Sequence, residues 1–223
     1  MAFTTDSAGV VAGHLRRWTA GPVAAVDPRP PPDTSCHQSE PLLRARTLLH
    51  GPASHTVPQV PPAALEGVAA PAPRSAPGAA RILLHPGSGA RRKCWPPDRY
   101  AQLATALGAS GAWTGFVCGP AESGIEAHLP GPVMRPASPL QLAACLRTAD
   151  LFIGNDSGPA HLAAAVGTRT LALFGPTDPV VWRPLAPWAQ AVRAPAGDLE
   201  RLTVDSVVQL AHRLLATPTP TRF

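Results

Sequence analysis

The sequence predicts an α/β protein, a parallel sheet with helices on both faces over residues 79–216, preceded by a proline-rich region, 1–78, and followed by a tail, 217–223. Three observations carry that prediction. Beyond residue 78, short apolar runs alternate with segments of helical periodicity, the pattern of strand–helix–strand units. The apolar runs are near-continuous, as strands covered on both faces are. Polar and glycine residues gather where strands end and helices begin, the edge at which open α/β sheets bind ligands.

Prolines crowd the first region: Pro28, Pro30, Pro31 and Pro32, then Pro58, Pro61 and Pro62, then Pro71, Pro73 and Pro77. Two stretches there read as helical, 10–18 and 40–49, and residues 23–26 read as a short strand. After residue 78, strands are expected at 81–85, 113–118, 151–154, 169–174 and 190–193. Helices are expected at 97–108, 121–128, 139–147, 158–166 and 204–215. The apolar strand from Arg81 to His85 runs into a Gly- and Ser-rich loop. Asp98 can start the next helix, whose apolar face is Tyr100, Leu103, Ala104 and Leu107. Ser138 followed by Pro139 supplies a cap and a first-turn proline for the third helix. The chain has no internal repeats.

Composition bounds the function. At 223 residues and 45% hydrophobic, the chain can bury a sizeable core. Arg, Asp, Gly and Pro interrupt every apolar stretch before it reaches membrane-spanning length. The start, Met-Ala-Phe-Thr-Thr-Asp-Ser, lacks the charged-then-apolar layout of a secretory signal, so a cytoplasmic location is expected. Cys36, Cys94, Cys118 and Cys145 form no C-x-x-C and no paired spacing with histidines. They read as free thiols in a reducing compartment, Cys118 and Cys145 buried, with no structural zinc. A net charge of +5 and a pI near 9.7 raise nucleic acid as a partner. The arginines are scattered, however, and no aromatic-basic platform or helix-turn-helix accompanies them, so nucleic acid is not expected. A basic face also suits peripheral contact with an anionic membrane or an acidic glycolipid.

The most informative stretch is residues 151–179, LFIGNDSGPAHLAAAVGTRTLALFGPTDP. It reads as strand, loop, helix and strand. Asp156 or Ser157 can cap the helix, and Pro159 fits its first turn. The first-turn amides and the positive end of the helix dipole then form a phosphate site. Gly158 leaves the backbone open to a ligand, and His161 can donate to the same anion. Read alone, Asp156 and Ser157 serve equally well as simple caps and His161 as a buried hydrogen-bonded residue. Upstream, the loop after residue 85 holds Gly87, Ser88, Gly89, Arg91, Arg92 and Lys93, a reasonable cradle for a pyrophosphate. It matches neither G-x-x-x-x-G-K-[ST] nor the dinucleotide fingerprint, whose third glycine is replaced by Arg92. Among nineteen basic residues, eighteen are arginine and only Lys93 is lysine. A compact charge on a flexible stem suits a phosphate oxygen; the plain alternative is a solvated surface charge.

The run N-D-S-G-P-A-H-L-A-A-A followed by L-F-G-P-T-D-P, with H-P-G-S-G-A-R-R-K-C-W-P upstream, resembles glycosyltransferase family 9, the heptosyltransferases of bacterial cell-envelope synthesis. The resemblance covers residues 80–216 well and the first eighty loosely. It implies the nucleotide-sugar-binding, Rossmann-like half of a GT-B fold. It also implies inverting, metal-independent transfer of a heptose or similar sugar from a nucleoside-diphosphate donor, commonly an ADP-sugar, to a glycan or glycolipid acceptor. No cofactor is implied. Carried over by motif, the donor-binding residues are Ser88, Gly89, Lys93, Asp156, Ser157, Gly158 and His161, with Thr177 and Asp178 lining the cleft. Glu122 falls where family members hold the donor nucleoside; its plain alternative is a solvated acid at a helix start. Members of the family begin with a strand and a Gly-Asp turn that supply an acceptor-side base. Asp6 and Asp27 are the early acids here, and neither stands in that context. A nucleotide-sugar-binding module lacking that base is therefore the alternative expectation, and no catalytic residue is assigned.

Overall fold

A computed structural model describes residues 2–3, 25–26, 35–40, 58–70 and 76–218. The chain divides into two units, Met1–Thr56 with Val180–Trp182, and Val57–Pro179 with Arg183–Phe223. In the first, two-residue strands β1 (Ala2–Phe3) and β2 (Ala25–Val26) pair in parallel. The expected helices at 10–18 and 40–49 lie outside the described residues, save for Glu40.

The second unit carries one six-stranded sheet. Its strands are β3 (Arg81–His85), β4 (Trp113–Val117), β5 (Val133–Met134), β6 (Leu151–Asn155), β7 (Arg169–Phe174) and β8 (Ala189–Arg193). They lie in the order β5-β4-β3-β6-β7-β8, and every pair is parallel. That is the doubly wound Rossmann order, with the reversal between β3 and β6. The unit's helices are α1 (Pro97–Ala109), α2 (Pro139–Arg147), α3 (Gly158–Ala165) and α5 (Val204–Ala216); the short α4 (Pro179–Trp182) belongs to the first unit in all but its first residue.

Continuous apolar strands require cover on both sides, and the helices supply it. On one face Ile82, Leu84, Phe116, Ile153 and Leu173 pack with Tyr100, Leu103 and Leu107 of α1 and Val207 and Ala211 of α5. The alternate residues Leu83, Phe152 and Ala172 point the other way, toward the face where α2 and α3 pack together. Each large side chain buried there contributes about 1.5–3 kcal/mol. The apolar face foreseen for the first helix is fully inside, as are Cys118 and Cys145, whose thiols burial pushes up to about 11.

Several elements differ from expectation. The helix expected at 121–128 is two 3₁₀ turns, Pro120–Glu122 and Glu126–His128. Gly124 between them takes φ +100°, which a helix cannot hold. β5 and α4 are too short for periodicity to reveal. α1 starts at Pro97 with Pro96 in the N-cap position, leaving Asp98 inside the first turn, where its charge favours the helix dipole. Ser138 caps α2 as expected, accepting from the Gln141 amide at 3.2 Å. Among the described residues, no helix is long and apolar enough to cross a membrane.

Candidate functional site

Because the winding reverses between β3 and β6, the loops leaving them diverge and open a crevice at their C-terminal ends. Both sequence motifs meet there. The join is Asn155, the last residue of β6, which is wholly buried. Its Oδ1 accepts from the Trp95 amide at 2.9 Å and from the Tyr100 hydroxyl at 3.1 Å. Its Nδ2 donates to the carbonyls of Pro86 at 2.9 Å and Gly87 at 3.1 Å. Two acceptor and two donor contacts use the whole amide. One side chain thus fixes the glycine loop, the start of α1 and β6 to each other.

Beside it lies a polar cluster built around Asp156. Lys93 Nζ stands 2.7 Å from Asp156 Oδ2, and Thr177 Oγ1 donates to the same oxygen at 2.8 Å. Ser88 Oγ donates to the Asp156 carbonyl at 2.9 Å. Asp156 is 8% exposed and Lys93 26%, so the carboxylate sits inward and the ammonium reaches the surface of the crevice. Lys93 is therefore not a loose surface charge.

The first turn of α3 adjoins this cluster. Ser157 holds the N-cap position but does not cap: its hydroxyl donates back to the Asn155 carbonyl at 3.2 Å. Asp156 does not cap either, because its carboxylate finds a cation and a hydroxyl, stronger partners than a neutral amide. The capping expectation for both residues is overturned. The space over Gly158 is open, with nothing within 4 Å of where a Cβ would stand. His161 follows on the exposed side of the same turn.

A cleft of ≈ 570 Å³ opens next to the cluster. Ser88, Gly89, Glu122, Ser157 and Gly158 line it, together with His85 and an apolar wall that includes Val117, Ala121, Pro136, Leu142 and Leu162. Glu122 is 5% exposed and its Oε2 accepts from the Gly119 amide at 2.6 Å, so it is not the solvated acid that its sequence context also allowed. A Cβ on Gly87 would overlap the Glu122 carboxylate, so the first loop leaves out a side chain where the second puts one in. His85 is buried, its Nδ1 bonds to the Val117 carbonyl at 2.8 Å, and its ring stacks on Phe152. Loss of solvation lowers its pKa, against the opposing pull of the Val117 carbonyl and the Glu122 charge.

Of the ten residues singled out in the sequence, Lys93, Asp156, Thr177 and Ser88 are bonded to one another, and Ser88, Gly89, Glu122, Ser157 and Gly158 line the cleft. His161 and Asp178 lie in the adjoining turns but not in the cleft lining. Asn155 and His85 were missed as site residues. Their signal was a polar residue closing a strand whose middle is apolar, where burial must be compensated by hydrogen bonds. Among the described residues, no three His, Cys, Asp or Glu side chains gather to hold a metal ion.

This arrangement can be compared with known proteins. Residues 59–212 match the model of glycosyltransferase family 9 (heptosyltransferase). The chain belongs to glycosyltransferase family 9. Lipopolysaccharide heptosyltransferase 3 of Escherichia coli K12 is 34% identical over 113 residues, 46% of this family 9 chain and 33% of its own. The solved ADP-heptose lipopolysaccharide heptosyltransferase II of E. coli is 25% identical with a TM-score of 0.57, over 63% of this chain and 47% of that one. A family 9 glycosyl transferase of Veillonella parvula, 19% identical, reaches a TM-score of 0.67 over 86% of this chain and 63% of its own, and shows the shared fold. The match thus spans about a third of the curated relative and about half of the solved heptosyltransferase.

Proposed function

We propose that the crevice binds a nucleoside-diphosphate sugar, of the ADP-heptose kind, and that the chain serves transfer of that sugar to a cell-envelope glycan or glycolipid. The observation that carries this reading is the union of two subsites at the switch point. A cluster of Lys93, Ser88, Thr177 and the α3 amides suits phosphates, and the adjoining apolar cleft with its buried carboxylate suits a nucleoside. The name of the 25%-identical relative supports ADP-heptose as the donor. Residues 79–216 form the donor side in this reading, and 1–78 belong to the acceptor side.

In an inverting transfer the acceptor hydroxyl forms a bond to the anomeric carbon from one face while the bond to the diphosphate breaks on the other. A base takes the hydroxyl proton, and the diphosphate leaves with an added negative charge. Lys93 and the amides of Ser157 and Gly158 are groups suited to that charge, and in this reading stabilising it lowers the barrier without a metal ion. Asp156 holds the ammonium in place, and Thr177 holds Asp156. Once a phosphate competes for the ammonium, Asp156 still limits where it can go.

A second reading is a module that binds the donor and does not transfer it alone, because neither early acid, Asp6 or Asp27, stands in the strand and Gly-Asp turn that the family resemblance leads one to expect. Calorimetric titration with ADP, UDP and GDP without magnesium tests the binding site. Turnover of an ADP-sugar with a glycan acceptor separates the two readings. Saturable ADP binding with transfer supports the enzyme, binding without transfer supports the module, and absence of nucleotide binding rejects both.

A further inference from the structure

We propose that His85 is a specificity-determining residue of this cleft, presenting its Nε2 lone pair to a ribose hydroxyl of the bound nucleotide. The inference rests on the nucleoside-diphosphate reading and adds a contact to it. His85 is the last residue of β3, lies in the cleft lining and is 6% exposed. Its Nδ1 faces the Val117 carbonyl at 2.8 Å. A carbonyl can only accept, so Nδ1 carries the proton, and in the neutral ring Nε2 is then an acceptor and nothing else. Burial favours that neutral ring. No donor among the described residues meets Nε2, so the cleft is left to supply one.

Glu122 repeats the pattern. The Gly119 amide takes Oε2, and Oε1 meets no donor among the described residues. The carboxylate stands just beyond β4, the second strand of the winding, where Rossmann sheets hold an acid against a ribose hydroxyl. Two open acceptors on one cleft fit a vicinal diol, which offers two O–H donors side by side. The amino group of a purine also offers two donors, but at the far edge of a flat ring. His85 is only three residues from Ser88 in the phosphate loop, a place the sugar next to the phosphates reaches more readily than the outer edge of a base.

The test is calorimetric titration of the full chain with ADP, 2′-deoxy-ADP, 3′-deoxy-ADP and IDP. Loss of one ribose hydroxyl is expected to weaken binding about tenfold, the effect of leaving one buried hydrogen-bonding group unmatched, while IDP binds like ADP. His85→Phe should keep the ring packing and lose the discrimination at one of the two hydroxyls, leaving the one that Glu122 meets. His85→Gln, which can still donate to Val117 and accept from the ligand, should retain both. Equal discrimination in the parent and His85→Phe overturns the inference. So does a parent indifferent to both hydroxyls, a result that needs no variant to fold. A penalty for IDP in place of the deoxynucleotides also overturns it, by moving the contact to the base. Absence of ADP binding fails the nucleoside-diphosphate reading itself, so the two failures are told apart.

Discussion

Lys93 and Asp156 form a pair whose members do different work. In the proposed reading the ammonium meets a phosphate, and the carboxylate is the group that places it. Lys93→Ala is expected to weaken ADP binding by about 1.5–3 kcal/mol, the range for a charged hydrogen bond, with little change in folding. Calorimetry with a parallel melting curve checks both halves. Asp156→Ala should cost stability as well, about 1–3 kcal/mol, because Lys93 and Thr177 both lose their shared acceptor. Unchanged melting would show that the pair is not part of what holds these loops. His85 gives a pH signature. Its folded pKa is below the ordinary 6.5, so below that value the unfolded chain binds a proton that the folded chain resists. The stability tied to its neutral form is complete above 6.5 and is lost as pH falls toward the folded value. Denaturant unfolding between about pH 7.5 and about pH 5.5 should therefore show a steeper acid loss in the parent than in His85→Phe.

The loop after β3 depends on two residues that act across elements. Asn155 on β6 satisfies two carbonyls of that loop, the Trp95 amide and the Tyr100 hydroxyl. Asn155→Ala strands four polar groups in the interior, and a loss of roughly 3 kcal/mol or more is expected from about 1–3 kcal/mol per unsatisfied group, less relaxation. Thermal unfolding measures it. Gly87 acts by absence. Its replacement by Ala forces the Glu122 carboxylate aside, and because that carboxylate ends a flexible chain the fold should survive. Gly87→Ala is therefore expected to weaken ADP binding at least several-fold while costing no more than about 1–3 kcal/mol in stability, the usual range for overpacking. A variant that binds ADP normally would detach Glu122 from the donor site.

Taken whole, the second unit is a doubly wound sheet whose only reversal coincides with both motifs. The parallel sheet with cover on both faces could be read in advance because its strands are uninterrupted apolar runs and its helices carry one apolar stripe. The 3₁₀ turns at 120–128 could not, since Gly124 breaks the helix by a backbone angle that composition does not announce. On the same grounds β5 and α4 escaped notice: two and four residues are too few to show a period. Donor binding and sugar transfer are separable properties of such a unit. Purified chain is expected to bind ADP without magnesium whether or not it turns over an ADP-sugar, and measuring both on one preparation decides between enzyme and binding module.

By itself the sequence determined the α/β class, the places where strands give way to glycine-rich polar loops, and the buried Cys118 and Cys145. These follow from local periodicity and from glycine, proline and charge at fixed spacing, all of which are written along the chain. Tertiary structure alone decided which residues of those loops meet. It turned Asp156 from a helix cap into the partner of Lys93, sixty-three positions away, and of the two readings open for Glu122 it removed the solvated acid by burying the side chain in the wall of the cleft. It also gave Asn155 and His85 their work, because a polar group at a strand end acquires a role only when neighbouring strands bring it partners. Hydrogen bonds and ion pairs between distant segments depend on the strand order, and no local pattern encodes that order.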